Sequence, residues 1–310
     1  MSVVARALLA CGWAAMLASC GDDDTATGPN SSAQEEQITW SFASKSLVSL
    51  AVVSGEASVD VGAEDSIRVT VVHAYVPAGA FEARYETSAD RLALREELEG
   101  ATSGYSRWTV TVPPQTAVEL TSASGDLDVD GVQGGIRVTT ASGEVRIRNA
   151  SGAIAATTAS GGIRGDNLNG DLELVSASGG IEIDGATGVC QISTASGDIE
   201  VEDITLTDAS AFASASGTVK VKLAASPESD LSVSSASGNA IVNYDGNEVA
   251  GYFEFTARED QGRIVSPVAF ESEEQFQQSG VTYDRKSFTQ GADQPRVTIG
   301  TASGKAELRD

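Results

Sequence analysis

The chain has 310 residues, 41% of them hydrophobic but only 5% aromatic, with 32 glycines; that supplies a core, excludes a wholly disordered chain, and disfavours a broad aromatic-rich globule. Against 44 Asp and Glu stand only 20 Lys and Arg, a formal charge of −24, which repels polyphosphate over the whole surface and excludes nucleic acid as a partner. The one histidine, His73, leaves no His/His metal pair and little scope for histidine acid–base chemistry.

Residues 1–19 read as a lipoprotein signal peptide: one positive charge at Arg6, an apolar run from Ala7 to Leu17, then small residues. The run is too short to span a bilayer. Leu17-Ala18-Ser19-Cys20 resembles the lipobox of bacterial lipoproteins, which implies cleavage before Cys20 and acylation of its thiol. Cys11 is then discarded, Cys20 anchors the chain, and Cys190 is the one thiol left in the folded part, so no intramolecular disulfide forms. Residues 20–37 are polar and acidic, as expected of a disordered tether between lipid and domain.

The folded domain is expected over 38–310, with N-terminal strands in 38–120, regular repeats in 121–245 and a C-terminal cap in 246–310. From Ile38 to Val76 the sequence alternates in strand fashion, with a degenerate turn at Val53-Ser54-Gly55. His73 lies in the apolar run Val69–Val76, where a lone histidine reads as a hydrogen-bonded strand residue rather than a catalyst. Phe81–Glu99 reads as a strand pair or a short helix around Asp90–Leu98. Arg107–Val129 feeds into the repeats, with Pro113-Pro114 breaking a strand at their start.

Ala-Ser-Gly then recurs with its glycine at Gly125, Gly143, Gly152, Gly161, Gly179, Gly197, Gly217, Gly238 and Gly304. The gaps run 18, 9, 9, 18, 18, 20 and 21 before the last, the mark of a solenoid with two short strands and two turns per coil. The fold expected is all-β: a parallel β-solenoid of about 18–21 residues per two-strand coil, with an antiparallel two-sheet sandwich as the alternative. About six coils at ~4.8 Å give a rod of roughly 30 Å before its caps.

Aligned on the turns, Leu127, Val145, Ile163, Ile181, Ile199 and Val219 form one inward column, and Val129, Ile147, Gly165, Ile183, Val201 and Val221 another. On the second strand Ile136, Ile154, Leu172 and Cys190 point inward, so Cys190 reads as a small buried apolar residue. The turn glycines Gly125, Gly143, Gly161, Gly179, Gly197, Gly217, Gly238 and Gly304 read as positive-φ positions, with the alanine tucked beneath the corner. The turns lack the strand-to-helix setting of a phosphate loop. Outward columns run Asp128, Arg146, Arg164, Glu182, Glu200, Lys220 and Asp130, Arg148, Asp166, Asp184, Glu202, Lys222, placing opposite charges together at Asp128/Arg146 and Glu200/Lys220. Glu182, Asp184, Asp198, Glu200 and Glu202 share one face, which reads as a solvated acidic surface in preference to a divalent-cation site, since the glycine-rich calcium nonapeptide is missing from the turns.

A strand, a Val-Pro-Pro turn, a strand and then tandem Ser/Thr–Ala–Ser–Gly repeats, such as SASGDLDV, TASGEVRI and TASGDIEV, together resemble a bacterial surface domain of unknown function catalogued under the provisional label of adhesin. The resemblance covers roughly residues 38–310 and implies an envelope-exposed or membrane-associated protein. The function expected is that of a non-catalytic envelope protein, lipid-anchored through Cys20 in a membrane and facing the periplasm or the cell surface, that needs no cofactor and contacts a cell-wall or surface glycan or an envelope protein. Two alternatives stand beside it: a regulatory or stress-sensing partner-binding protein, and a polysaccharide-cleaving β-helix using Glu182/Glu200 or Asp184/Glu202 as its acid pair.

Overall fold

The computed structural model describes residues 33–63 and 65–310. Its strands are β1 (Glu36–Ala43), β2 (Leu47–Val52), β3 (Glu56–Val61), β4 (Ser66–Val76), β5 (Phe81–Thr87), β6 (Arg91–Leu98), β7 (Ser103–Val112), β8 (Ala117–Ser122), β9 (Leu127–Asp130), β10 (Ile136–Thr140), β11 (Val145–Ser151), β12 (Ile154–Thr158), β13 (Ile163–Asn169) and β14 (Leu172–Ser176). They continue with β15 (Ile181–Gly188), β16 (Cys190–Thr194), β17 (Ile199–Leu206), β18 (Ser210–Ser214), β19 (Val219–Leu223), β20 (Leu231–Ser235), β21 (Ala240–Asn243), β22 (Gly251–Arg258), β23 (Gly262–Val265), β24 (Ser272–Gln278), β25 (Val281–Gln290), β26 (Arg296–Thr301) and β27 (Gly304–Arg309). There is no helix among the described residues. The signal peptide, Cys11 and Cys20 lie outside them.

Two sheets face each other, one of 13 strands and one of 14. From β7 to β23 the chain crosses from one to the other at every turn, so each coil adds a strand to both sheets. Coil-to-coil pairing through the repeats is parallel and in constant register: Ile136 opposite Ile154, Ile154 opposite Leu172, Leu172 opposite Cys190. This is the expected parallel solenoid, and the antiparallel sandwich is ruled out. Nine coils stack from β2/β3 through β8/β9 to β20/β21 and then β26/β27, so the rod is longer than the six coils expected. Eight spacings of ~4.8 Å make it about 38 Å long before its caps.

Period-2 alternation explains the core. Every inward position named from the sequence is buried, including Leu127, Ile147, Ile181, Leu172 and Cys190. Gly165 is the one gap in its column, and the space is filled: a Cβ there would lie 2.6 Å from Leu168 Cδ1 and 2.8 Å from Ile183 Cδ1. Burial also pushes the Cys190 thiol up to about 12, so it is a packed thiol and not a thiolate nucleophile.

Spatial order departs from chain order at both ends. β2/β3 stack directly on β8/β9, while the intervening residues run outward through β4 to β7 and return by way of Pro113-Pro114. β5 pairs antiparallel with β6 from Phe81 opposite Leu98; the helix considered around Asp90–Leu98 does not form, because Leu92, Leu94 and Glu96 alternate inward with period 2. At the far end β26/β27 slot between β20/β21 and β22/β23. Aromatic clusters close the ends: Trp40 and Phe42 against Tyr85 at one, Phe253, Phe255 and Phe270 around Phe288 at the other.

The turns hold the main corrections. Of the eight turn glycines only Gly304, at φ 140°, is left-handed. Glycine is required there for another reason: a Cβ on Gly143, Gly161, Gly179, Gly197 or Gly217 would collide with the carbonyl of the glycine one coil before it. Gly152 is not in this column. It belongs to the opposite corner with Gly170 and Gly188, where the same backbone crowding recurs. Gly152, Gly170 and Gly188 are also left-handed, at φ 97°, 134° and 149°, and a third column, Gly131, Asn149, Asn167, Gly185 and Asp203, lies at φ between 50° and 80°. Asn149 Nδ2 donates to Asp130 Oδ1 at 2.9 Å and Asn167 Nδ2 to Asn149 Oδ1 at 3.0 Å, so short polar side chains that tolerate this backbone also stitch coils together.

Candidate functional surface

Two outward surfaces run the length of the rod. On the 13-stranded sheet the outward columns stack as expected, Arg164 opposite Glu182, Glu182 opposite Glu200 and Glu200 opposite Lys220. Their ion pairs are partly diagonal. Arg146 pairs with Glu144 at 2.8 Å instead of with Asp128, and Asp128 is taken by Arg148, also at 2.8 Å. Long arginine side chains reach the neighbouring column as easily as their own, which the register alone does not decide. Burial raises the Asp128 carboxyl above its usual range against the pull of Arg148.

The five acidic residues singled out do not converge. Glu182 pairs with Arg164 at 3.1 Å; Glu200 and Glu202 both bind Lys220 Nζ, at 2.6 and 3.0 Å. Asp198 sits at the turn, where its Oδ1 accepts the Thr218 N–H at 2.7 Å. No cluster of three or more potential metal ligands exists among the described residues. Glu182/Glu200 and Asp184/Glu202 are side-by-side neighbours along the rod axis, not two carboxyls facing each other across a cleft.

The second surface was not anticipated. The Ser or Thr three residues before each turn glycine is buried, and Ser176, Thr194, Ser214 and Ser235 each fasten the corner twice. Gly179 N–H donates to Ser176 Oγ at 2.8 Å, and Thr194 Oγ1 donates to the Gly179 carbonyl at 3.0 Å; Ser214, Ser235 and Thr301 repeat the second bond one coil at a time. The turn alanine, expected beneath the corner, is instead exposed at Ala141, Ala159, Ala177, Ala195, Ala215 and Ala236. Beside these methyls lies an outward column that includes Thr139, Thr157, Ser193 and Ser234. Together they line an open groove of about 1220 Å³ from Ser122 to Thr301, ending at Tyr283, and no charged side chain lines it. The chain carries 64 charged residues, none of which lines this groove. The sequence signal was present, as an alanine at an exposed position in every coil from β8/β9 to β20/β21.

His73 is packed in β4 with its ring stacked on Phe81 at 4.0 Å and its Nε2 4.0 Å from a Glu36 carboxyl oxygen. Nearby, Glu96 is a buried carboxylate accepting from Tyr75 Oη at 2.9 Å, Ser106 Oγ at 3.1 Å and the Val53 N–H at 2.8 Å. All its neighbours are structural, and it ties four strands together at the N-terminal end.

No curated protein matches this sequence. Among solved structures, one from Clostridium sporogenes, provisionally named a cell adhesion protein, is similar at 12% identity over 89% of this chain and 99% of its own, with a TM-score of 0.23. Two from Parabacteroides distasonis are also similar. One, provisionally named an adhesin, has 11% identity over 89% of this chain and 96% of its own at a TM-score of 0.49; the other, provisionally named a lipid binding protein, has 13% identity over 87% and 96% at 0.47. The resemblance read from the repeats is borne out over part of the chain: residues 166–262, from β13 to the start of β23, match the family described as Toastrack DUF4097.

Proposed function

We propose that this protein is a non-catalytic scaffold of the cell envelope, lipid-anchored through Cys20, that binds a surface or cell-wall component along the side of its solenoid. The observation that supports it best is the arrangement of the outward faces. Parallel stacking lines up one outward position from every coil, giving a mixed charged track on one sheet and a uniform track of small side chains at the turn corner instead of a converging pocket. Of the carboxylates that a polysaccharide-cleaving enzyme would need as an acid pair, Glu182, Glu200 and Glu202 are held in ion pairs, and all four lie on an exposed face side by side along the rod axis. Among the described residues no helix is long and apolar enough to cross a membrane; attachment in this reading comes from the acylated cysteine and the polar segment after it.

Mass spectrometry of the N-terminal peptide from protein made in its native host, together with membrane fractionation of Cys20→Ser, tests the anchor. The expected results are an acyl mass on Cys20 and release of the variant from the membrane fraction. A mature chain that begins elsewhere and fractionates without membrane overturns it.

A further inference from the structure

Both sheets stop at the N-terminal end of the rod on a strand with one open side, and we propose that one of these strands, β1, is a dimerisation edge that pairs antiparallel with β1 of a second copy of this chain. β1 is bonded along one side to β4, from Glu36 opposite His73 to Ala43 opposite Ser66, and is the last strand of the 13-stranded sheet. Its sequence, EQITWSFA, holds three large apolar side chains, Ile38, Trp40 and Phe42, all half-buried, and no lysine, proline or glycine.

The other terminal strands are short or charged, as edges that must not pair commonly are. β23 is four residues long, β5 turns Glu82, Arg84 and Glu86 outward, and β24 carries Glu273 and Glu274. From Gln37 to Ser44, β1 and the residue after it bear no charge.

The strand is also complementary to itself. Opposite residues of an antiparallel pair share a face, so a two-fold axis through Trp40 sets Trp40 against its own copy, Ile38 against Phe42, Thr39 against Ser41, Gln37 against Ala43 and Glu36 against Ser44. The apolar residues meet only one another, and every other pair is polar or small. A shift of two residues either way sets Glu36 against Phe42 or Ile38 against Ser44, and a shift of one turns inner residues against outer ones. At each end of the ladder Glu35 and Glu36 of one copy come alongside Lys45 of the other. Lys45 is held by the Ser88 and Ala89 carbonyls and by no carboxylate among the described residues, so opposite charges close both ends.

Trp40 and Phe42 lie edge-on to Tyr85 of β5, at 5.2 and 5.0 Å between ring centres; a second copy continues this aromatic layer and covers what the end of one rod leaves half-exposed. A lipid surface suits the same end less well, because Glu35 and Glu36 precede these residues and Glu82 and Glu86 flank Tyr85, and anionic headgroups repel them. A single edge ladder buries less than the roughly 1,600 Å² of a standard interface, so the dimer is one that dissociates on dilution.

The test measures the mass of the full chain in detergent micelles by light scattering after size-exclusion chromatography, over a dilution series. The expected result is a dimer that falls to monomer on dilution. Thr39→Glu with Ser41→Glu, on the exposed outer face, sets glutamates of the two copies against one another and leaves the chain monomeric throughout. Thr39→Lys with Ser41→Glu sets lysine against glutamate across the axis and restores the dimer, and circular dichroism confirms that both variants are folded. A chain that is monomeric at every concentration, a dimer that survives the two glutamates, or a lysine–glutamate variant that stays monomeric overturns the proposal. An acylated chain found in the envelope as a monomer refutes the pairing edge while leaving the scaffold reading standing.

Discussion

Gly179→Ala isolates the physics that sets the coil spacing. The added Cβ would fall inside the contact distance of the Gly161 carbonyl carbon and oxygen, and 2.9 Å from the Gly162 nitrogen. All three are backbone atoms of the preceding coil, fixed by its own hydrogen bonds, so no side chain can swing away. Relief requires local separation of two coils, which strains the Ala177 N–H to Thr158 O bond and the bond that Ser176 Oγ donates to the Gly161 carbonyl. Losing these two bonds at about 1 kcal/mol each, on top of about 1–3 kcal/mol for overpacking, gives a cost of about 3–5 kcal/mol. At roughly 2–4 °C per kcal/mol for a domain of this size, the thermal midpoint falls by about 10 °C. Gly185→Asn is the matched control. Gly185 has φ 73° with no atom nearer than 3.7 Å to an added Cβ, and the equivalent position one coil earlier is already Asn167 at φ 54°. That substitution costs about 1 kcal/mol at most and gains unfolded-state entropy. Thermal unfolding followed by circular dichroism reads both. Gly179→Ala melting with wild type, or no worse than Gly185→Asn, would refute the close-approach account.

Three further outcomes follow from burial. Ile181 is fully buried between the sheets, so Ile181→Asp places an unpaired carboxylate in the core and lowers stability by several kcal/mol; a urea midpoint within error of wild type would show the column to be misassigned. Tyr244 is fully buried with its hydroxyl unpartnered, and burial pushes that hydroxyl's pKa up, so Tyr244→Phe is neutral or stabilising by about 1 kcal/mol, and a clear loss of stability in the same titration would show a hidden partner. Burial also holds His73 below its ordinary value near 6.5, against the opposing pull of Glu36 and Glu96. The unfolded chain therefore binds the proton more readily, and this contribution to stability is complete above pH 6.5 and falls as the pH drops towards the folded-state value. His73→Gln should flatten that part of the stability–pH curve; an unchanged slope would dismiss the histidine as its source.

What the sequence disclosed, and what it did not, follows from range. Alternation with a fixed 18-residue offset reveals facing and register together, so the columns through Leu127, Ile136 and Cys190 could be assigned before any coordinates. The backbone angle at a turn is less legible. Gly179 and Gly185 are the same residue, yet one is required by a carbonyl 18 residues earlier and the other by a left-handed φ, and only the alternation of Gly with Asn and Asp in the 131–203 column hinted at the difference. Ion pairing was half legible: strand register placed Glu200 beside Lys220, but side-chain length let Arg148 reach Asp128 diagonally. The out-of-order stacking of β26/β27 was hidden, because a returning strand bears the same Thr-Ala-Ser-Gly signature as one that stacks in turn. The groove was hidden for a related reason: alanine signals burial as readily as an uncharged surface.

The claim that this rod is an envelope-binding scaffold without catalysis is tested most directly by incubating the fluorescently labelled full chain with isolated cell envelopes while monitoring bound protein and released reducing ends. The account predicts saturable binding, competed by unlabelled protein, with no reducing ends released. Release of reducing ends that ceases in Glu200→Gln, or binding that never saturates, would contradict it.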